Sequence, residues 1–410
     1  MTLLKKAIMV STAIFLLLTF FVLIPDISSG EDKEVAYLSL GDYTGPTASV
    51  VSFVDMAIED YAKFVNDKGG VNGVKIKFIG VDTRYDIARA VAAYKKYALT
   101  PRLLGMNSNN SNVARILEPM IKRNPMPVLV PAEGTFAVNI GYNFLPGQCY
   151  QNFFGAAVDW IVNDWKTKGK NGMPTVGAIS WDSPAARDYL RGGLEYAKKI
   201  GINLLEPESL PPGTLDHTTY LTRLKSADYI YITGLVEPGQ TNIIRDAHRL
   251  GITTKTQFIC DFLGPIMGLG LKTHAQALQG ALIQTISLAG TDFFAHPLVK
   301  EIWTKYRKKP VNEAVRPYGL GLAIALNYEA ALKIALRDVG YDKINGETMY
   351  RAYQKLEGKE TTQGLQGPCA YSLNSRLGSR EIRWNQVKGE AIVPVSGWIK
   401  APDAVSMYKW

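Results

Sequence analysis

Two short polar segments carry the side chains best suited to holding a small molecule. Asn107-Ser108-Asn109-Asn110-Ser111-Asn112 supplies amides and hydroxyls, and Trp181-Asp182 sets an aromatic surface beside a carboxylate. Neutral amide and hydroxyl donors suit a carboxylate or another acceptor, because hydrogen bonds to an ionised group are the stronger kind. Asn and Ser also cap helices, so the first segment can serve as a cap, as a ligand contact (through Asn109 and Ser111) or as both. Catalytic chemistry has far less behind it. No Gly-x-Ser-x-Gly elbow, His-Glu-x-x-His helix or Gly-x-x-x-x-Gly-Lys phosphate loop occurs, and Gly268-Leu269-Gly270 and Gly319-Leu320-Gly321 lack the third glycine of a nucleotide fingerprint. His217, His248, His274 and His296 show no metal-ligand spacing, and His248, between Arg245 and Arg249, reads as an ordinary surface residue. Cys149, Cys260 and Cys369 lie far apart with no Cys-x-x-Cys pair. An oxidising exterior would permit one bridge among them, and buried free thiols are the simpler expectation. The expectation is no enzyme: no catalytic residue, no metal site and no cofactor.

The elements that would present these segments alternate. Val35–Leu40 reads as a strand, Val50–Val65 as a helix stopped by Gly69-Gly70, and Val74–Val81 as a second strand. A helix over about 86–97, a strand at Leu103–Met106, a helix over about 111–123 and a strand at Val128–Val130 follow. A second series repeats the pattern: helices at Phe153–Trp165, Tyr189–Ile200, Tyr220–Lys225 and Ile243–Leu250, and strands at Val176–Ser180, near Leu204-Leu205, at Tyr229–Thr233 and at Phe258–Cys260. Strand, helix, strand at this spacing implies a parallel sheet covered on both faces. Helical stretches at Tyr318–Val339 and near Thr348–Leu356 come late, before β-like segments around 369–371, 381–384 and 392–398, so the chain is expected to cross between two α/β halves more than once.

The first thirty residues differ in kind. Lys5 and Lys6 precede an apolar run from Ala7 to Ile24, and Ser28, Ser29 and Gly30 follow, the order of a secretory signal peptide over 1–30. An uncleaved membrane anchor is the alternative, since the run is just long enough to span. Removing the segment takes two Lys and one Asp, so the net charge falls from +9 to +8. The charges are interspersed, which makes the basic balance a solvated surface and gives no nucleic-acid arm. The remaining chain exceeds the roughly 250–300 residues that one core organises, so two lobes are expected.

The segments Thr44-Gly45-Pro46, Phe64-Val65-Asn66-Asp67-Lys68-Gly69-Gly70-Val71-Asn72-Gly73, Val81-Asp82-Thr83, Gly105–Ser111, Val128–Thr135, Tyr229–Gly234, Ile243–Gly251 and Gln257–Cys260, in this order and spacing, resemble the periplasmic leucine/isoleucine/valine-type solute-binding proteins of ABC (ATP-driven) transporters. The resemblance covers nearly the whole mature chain. It implies the type I periplasmic binding fold, α/β, with two Rossmann-like lobes of parallel sheet joined by a three-segment hinge near 147–149, 285–287 and 366–368. The lobes would be 31–148 plus 286–366, and 149–285 plus 367–410. It implies a periplasmic, monomeric receptor for a small molecule, working with the membrane permease of an ABC transporter and not with nucleic acid. The ligand it implies is a branched-chain amino acid or a related carboxylate-bearing solute. A ligand sensor for a membrane signalling protein is the other reading, and gene neighbourhood would separate the two; a secreted hydrolase would require turnover of a bound ligand.

In that family the loop matching Ala132 to Thr135 gives a backbone contact and a hydroxyl to the ligand carboxylate. Ala132 matches the backbone position, Gly134 stands where a Thr is usual, and Thr135 would serve after a shift of one residue. A Tyr and an acidic residue hold the ligand's ammonium in the family; the matching positions here are Leu235 and Phe262, with Glu237 and Asp261 adjacent. Unless Asp261 or Glu237 turns inward, the cleft is expected to hold a carboxylate with an apolar or aromatic body and no obligatory amine.

Overall fold

A computed structural model describes residues 33–264 and 269–410, so the signal segment expected over 1–30 lies outside the described residues. The first half of the chain runs β1 (Glu34–Gly41), α1 (Ala48–Asp67), β2 (Lys75–Asp82), α2 (Ile87–Tyr97), β3 (Leu103–Ser108), α3 (Ser111–Arg123), β4 (Val128–Leu129), α4 (Gly134–Val138) and β5 (Asn143–Phe144). Its strands form one all-parallel sheet in the order β2-β1-β3-β4-β5. Every residue of β3 is buried, and so is all of β1 after its first residue, the continuous apolar character of strands covered on both faces.

The chain then enters a second sheet through α5 (Tyr150–Thr167), β6 (Thr175–Trp181), α6 (Leu190–Ile200), β7 (Asn203–Leu204), β8 (Glu208–Leu210), α7 (Thr218–Arg223), β9 (Tyr229–Thr233), α8 (Gly239–Arg249), β10 (Gln257–Cys260), α9 (Leu269–Leu278) and β11 (Leu282–Thr285). Through α10 (Gly290–Ala295), which still packs on the second sheet, it returns to the first sheet as α11 (Pro297–Arg307), α12 (Arg316–Val339) and α13 (Gly346–Tyr353), with α12 packed along α1 and α13 against β3. It crosses back to add β12 (Glu381–Lys388), β13 (Ala391–Pro394) and β14 (Ile399–Lys400), all antiparallel, to the second sheet. That sheet is otherwise parallel, in the order β13-β12-β11-β10-β9-β6-β7. Two lobes and three chain crossings match the fold class expected from the sequence. The expected β-like segment at 369–371 makes only an isolated bridge, Cys369 to Ser379. Elements α9 to α11 and β11 are absent from the sequence reading, although α11 is as long as α2, α6 and α8.

The packing of α12 on α1 is the tightest joint near the cleft. α12 is long and apolar enough to cross a membrane, yet most of it is buried in the protein. At Gly321 an added Cβ would lie 2.2 Å from the Val54 carbonyl oxygen and 2.7 Å from the Ala57 Cβ, so the two helix backbones approach only because the side chain is missing. Replacing Gly321 by Ala is expected to wedge the helices apart and, despite the better helix propensity of Ala, destabilise the protein by about 2 kcal/mol. Urea unfolding of the variant checks this, and an unchanged midpoint contradicts it.

Candidate functional site

In open α/β sheets the crevice for a ligand lies beyond the carboxyl ends of the strands where the strand order reverses. Reversal falls between β1 and β3 in the first sheet and between β6 and β9 in the second. A cavity of about 190 Å³ lies at both points, walled by residues that follow β3, β4, β6, β9 and β10 and by the first turns of α1 and α12.

Each expected contact has a definite place. Asn109, Ser111, Ala132, Trp181 and Phe262 line the cavity; Thr135, Asp182, Leu235, Glu237 and Asp261 do not. Capping and cavity lining divide between neighbours: the Asn110 carboxamide caps α3, accepting from the backbone of Asn112 at 2.9 Å and Val113 at 3.4 Å, which leaves Asn109 and Ser111 on the cavity. The Asn109 Nδ2 is shielded from solvent and makes no hydrogen bond among the described residues. Thr135 sits within α4, off the cavity, its Oγ1 accepting from Asn139 at 3.4 Å. Asp182 is half exposed and paired with Arg187 at 2.9 Å. Leu235 is fully buried in the apolar core of the second lobe.

The two acids behind the second wall are committed elsewhere. Both oxygens of the buried Asp261 are taken: Oδ2 accepts from Thr233 Oγ1 and the Gly234 amide, each at 2.8 Å, and Oδ1 from Gln240 Nε2 at 2.6 Å and the Leu263 amide at 2.9 Å. Glu237 points to Thr241, whose hydroxyl donates to Oε1, and its Oε2 is buried without a partner among the described residues. Burial pushes its carboxyl up to about 7. Neither acid turns into the cavity. Among the described residues the lining holds no Asp, Glu, Lys, Arg or His; its polar groups are hydroxyls and amides, and Tyr85, Tyr150, Trp181 and Phe262 give it aromatic walls.

Asn107 is the polar residue most firmly held. It also lines the cavity, but its Oδ1 accepts from the Tyr37 hydroxyl and its Nδ2 faces Asp55 Oδ1 at 3.4 Å. Asp55 in turn accepts from Ser39 Oγ at 2.6 Å and Tyr43 OH at 2.9 Å, while burial raises its carboxyl to about 6. The sequence reading missed the apolar floor: Val50, Val51 and Val54 of α1, and Leu320 and Ile324 of α12. Their helical spacing reads as ordinary core. The usable signal was position, since α1 begins directly after the loop that closes β1 at the reversal.

Direct bonds join the lobes around the cavity: besides the Tyr150 amide donating to the Ala132 carbonyl at 2.9 Å, three involve side chains among the described residues. Ser49 Oγ donates to the Glu237 carbonyl at 3.1 Å, the Gly134 amide to Asp188 Oδ2 at 2.6 Å, and Arg316 Nη2 to the Phe262 carbonyl at 2.6 Å. Gly134 has a physical reason to be glycine: a Cβ there would lie 2.5 Å from the Gln151 carboxamide, which with Asp188 covers that amide. A wider, more open groove of about 790 Å³ along α4, α5 and the C-terminal segment touches the cavity only through Gln148 and borders none of the expected contacts. Cys149, Cys260 and Cys369 are buried and free.

Residues 39–390 match the profile of a family described as periplasmic binding protein. Among solved structures, the chain is similar to a branched-chain amino acid ABC transporter protein from Thermus thermophilus with bound valine, at 22% identity over 91% of this chain and 98% of that one, with a TM-score of 0.78. It is similar at 19% identity to a fatty acid ABC transporter substrate-binding protein from Thermomonospora curvata, over 92% and 95% of the two chains, with a TM-score of 0.75. A solute-binding protein from R. palustris in complex with benzoate matches at 15% identity over 90% and 98%, with a TM-score of 0.69. At these identities the likeness is one of fold. A comparison with curated protein sequences gives no match.

Proposed function

The chain belongs to the periplasmic binding protein family, and on that premise we propose that it is the extracytoplasmic substrate-binding component of an ABC-type uptake transporter whose ligand is a small carboxylate with an apolar or aromatic body. One observation carries the reading: the cavity between the lobes is walled by aliphatic and aromatic side chains, holds no carboxylate or basic side chain among the described residues, and presents the unpartnered Asn109 Nδ2 beside Ser111. Such a site fixes an anion with neutral donors and has no charge of its own to desolvate. The volume of about 190 Å³ is close to the roughly 150 Å³ of an apolar cavity that takes up benzene, which favours a ligand of about one ring. The structural likeness to proteins described with valine, a fatty acid and benzoate supports a carboxylate as the common feature.

In this reading the lobes are 31–148 plus 286–366 and 149–285 plus 367–410, the protein acts as a periplasmic monomer after loss of 1–30, and the closed lobes are what a membrane permease recognises. The test is to denature the protein as purified from cells and identify what it releases by mass spectrometry. A carboxylic acid without an amine is expected; an amino acid or a sugar would overturn the assignment. Replacing Asn109 by Ala should weaken binding of the released acid about ten- to hundredfold, since one bond to a charged group contributes roughly 1.5–3 kcal/mol. Calorimetry reads the change, and an unaltered Kd would remove Asn109 from the site.

A further inference from the structure

We propose that Arg316 is an opening spring: a buried cation that penalises the closed lobes, so that the cleft stays open until a ligand compensates. The inference rests on the solute-binding reading above and assigns the control of its closure. Arg316 begins α12 in the first lobe and is 2% exposed. Its one hydrogen bond crosses to the second lobe, from Nη2 to the Phe262 carbonyl at 2.6 Å, and Nε and Nη1 are buried with no partner among the described residues. A guanidinium carries five N–H donors and stays charged, so among the described residues most of its hydrogen-bonding capacity is unmet.

Among the described residues no acid repairs this. The charge that acts on Arg316 is Asp261, and all four bonds that Asp261 accepts come from its own lobe. Arg316 also stands at the amino end of a 24-residue helix, where the peptide dipoles disfavour a cation. Burial accordingly pulls the guanidinium down to about 9. A single neutral bond does not offset the removal of a cation from water, whereas parting α12 from the loop after β10 would return water to the free donors. Phe262 and, one turn along α12, Leu320 both wall the cavity, so ligand contact with that wall is what holds this seam shut against the guanidinium.

The charge therefore acts on the balance between open and closed forms. If the ligand-free protein is closed only about a tenth of the time, apparent affinity is reduced about tenfold, and removing the penalty restores it. Arg316→Met keeps the bulk and removes the charge; Arg316→Gln keeps a donor for the Phe262 carbonyl and serves if the Met variant fails to fold. Both are to be refolded free of ligand and compared with wild type by small-angle scattering and by calorimetry with benzoate as probe. The expected result is a ligand-free radius smaller than that of ligand-free wild type for either variant, and a Kd for benzoate about tenfold lower. A ligand-free radius equal to or larger than that of wild type in a folded variant overturns the proposal and makes Arg316 a clasp. The scattering comparison needs no ligand, so a failure of benzoate to bind would count against the assigned substrate class while leaving the test of Arg316 standing.

Discussion

Benzoate should bind the purified protein at least about a hundredfold more tightly than leucine in calorimetry at neutral pH. The two ligands share a carboxylate and an apolar body, and differ in the ammonium. Taking an ammonium out of water costs several kcal/mol unless a carboxylate or a set of acceptors replaces the hydration. Asp261 has no oxygen to give, because Thr233, Gly234, Gln240 and Leu263 already supply four donors to it. Glu237 faces Thr241, away from the cavity. The aromatic walls offer a cation–π contact, about 2 kcal/mol or somewhat more when desolvated, which offsets only part of that cost. A deficit of about 3 kcal/mol or more is then a factor of about a hundred or more in Kd. The keto acid of leucine, with the same body and no amine, should bind closer to benzoate than to leucine. Leucine binding more tightly than both, with that preference lost in Asp261→Asn or Glu237→Gln, would show that the amine is recognised and return the site to an amino-acid role.

Along the first half of the chain the main strands and helices were legible because β1, β3 and β4 are short buried apolar runs ended by loops and α1 to α3 each have a clear stripe. Val50, Val54 and Ile58 show the limit of that signal. All three lie on one stripe of α1, yet Val50 and Val54 wall the cavity and Ile58 is plain core. Periodicity identifies a buried face and not what it is buried against. The polar half of the site was legible as loops and only partly as residues. Asn107 to Asn112 was the right segment, but the division of labour among Asn107, Asn109 and Asn110 depends on Tyr37 and Asp55, which come from elsewhere in the chain, as well as on the adjacent α3 amides. Likewise, nothing around Asp261 in sequence reveals the donors that saturate it, and Gly134 as a departure from the family pattern acquires its reason only when Gln151 and Asp188 close on its amide.

The buried carboxyls predict an unusual dependence of stability on pH. Asp55 titrates near 6 and Glu237 near 7 in the folded protein, each raised first of all by burial, against ordinary values of 3.8 and 4.5. The folded chain therefore holds both protons over a range in which the unfolded chain has released them. Their contribution to stability is full below about pH 4 and is lost as pH rises through 6 for Asp55 and 7 for Glu237. Because each tenfold difference in proton affinity between the folded and unfolded chain is worth about 1.4 kcal/mol, each group costs on the order of 3 kcal/mol by pH 8. Carboxylates held low, such as Asp246 beside His217 and Arg245, act in the opposite direction, so the wild-type profile alone does not isolate the effect. The difference between variant and wild type does. Glu237→Gln keeps an acceptor for the Thr241 hydroxyl and cannot ionise. Its unfolding free energy relative to wild type is expected to rise by about 3 kcal/mol between pH 4 and pH 8, most steeply from about pH 5 to 7. Asp55→Asn should show the same rise, complete by about pH 6.5. Urea unfolding at a series of pH values measures both curves. A variant that differs from wild type by the same amount at every pH would mean that its carboxyl titrates normally, and that water reaches it in the folded protein.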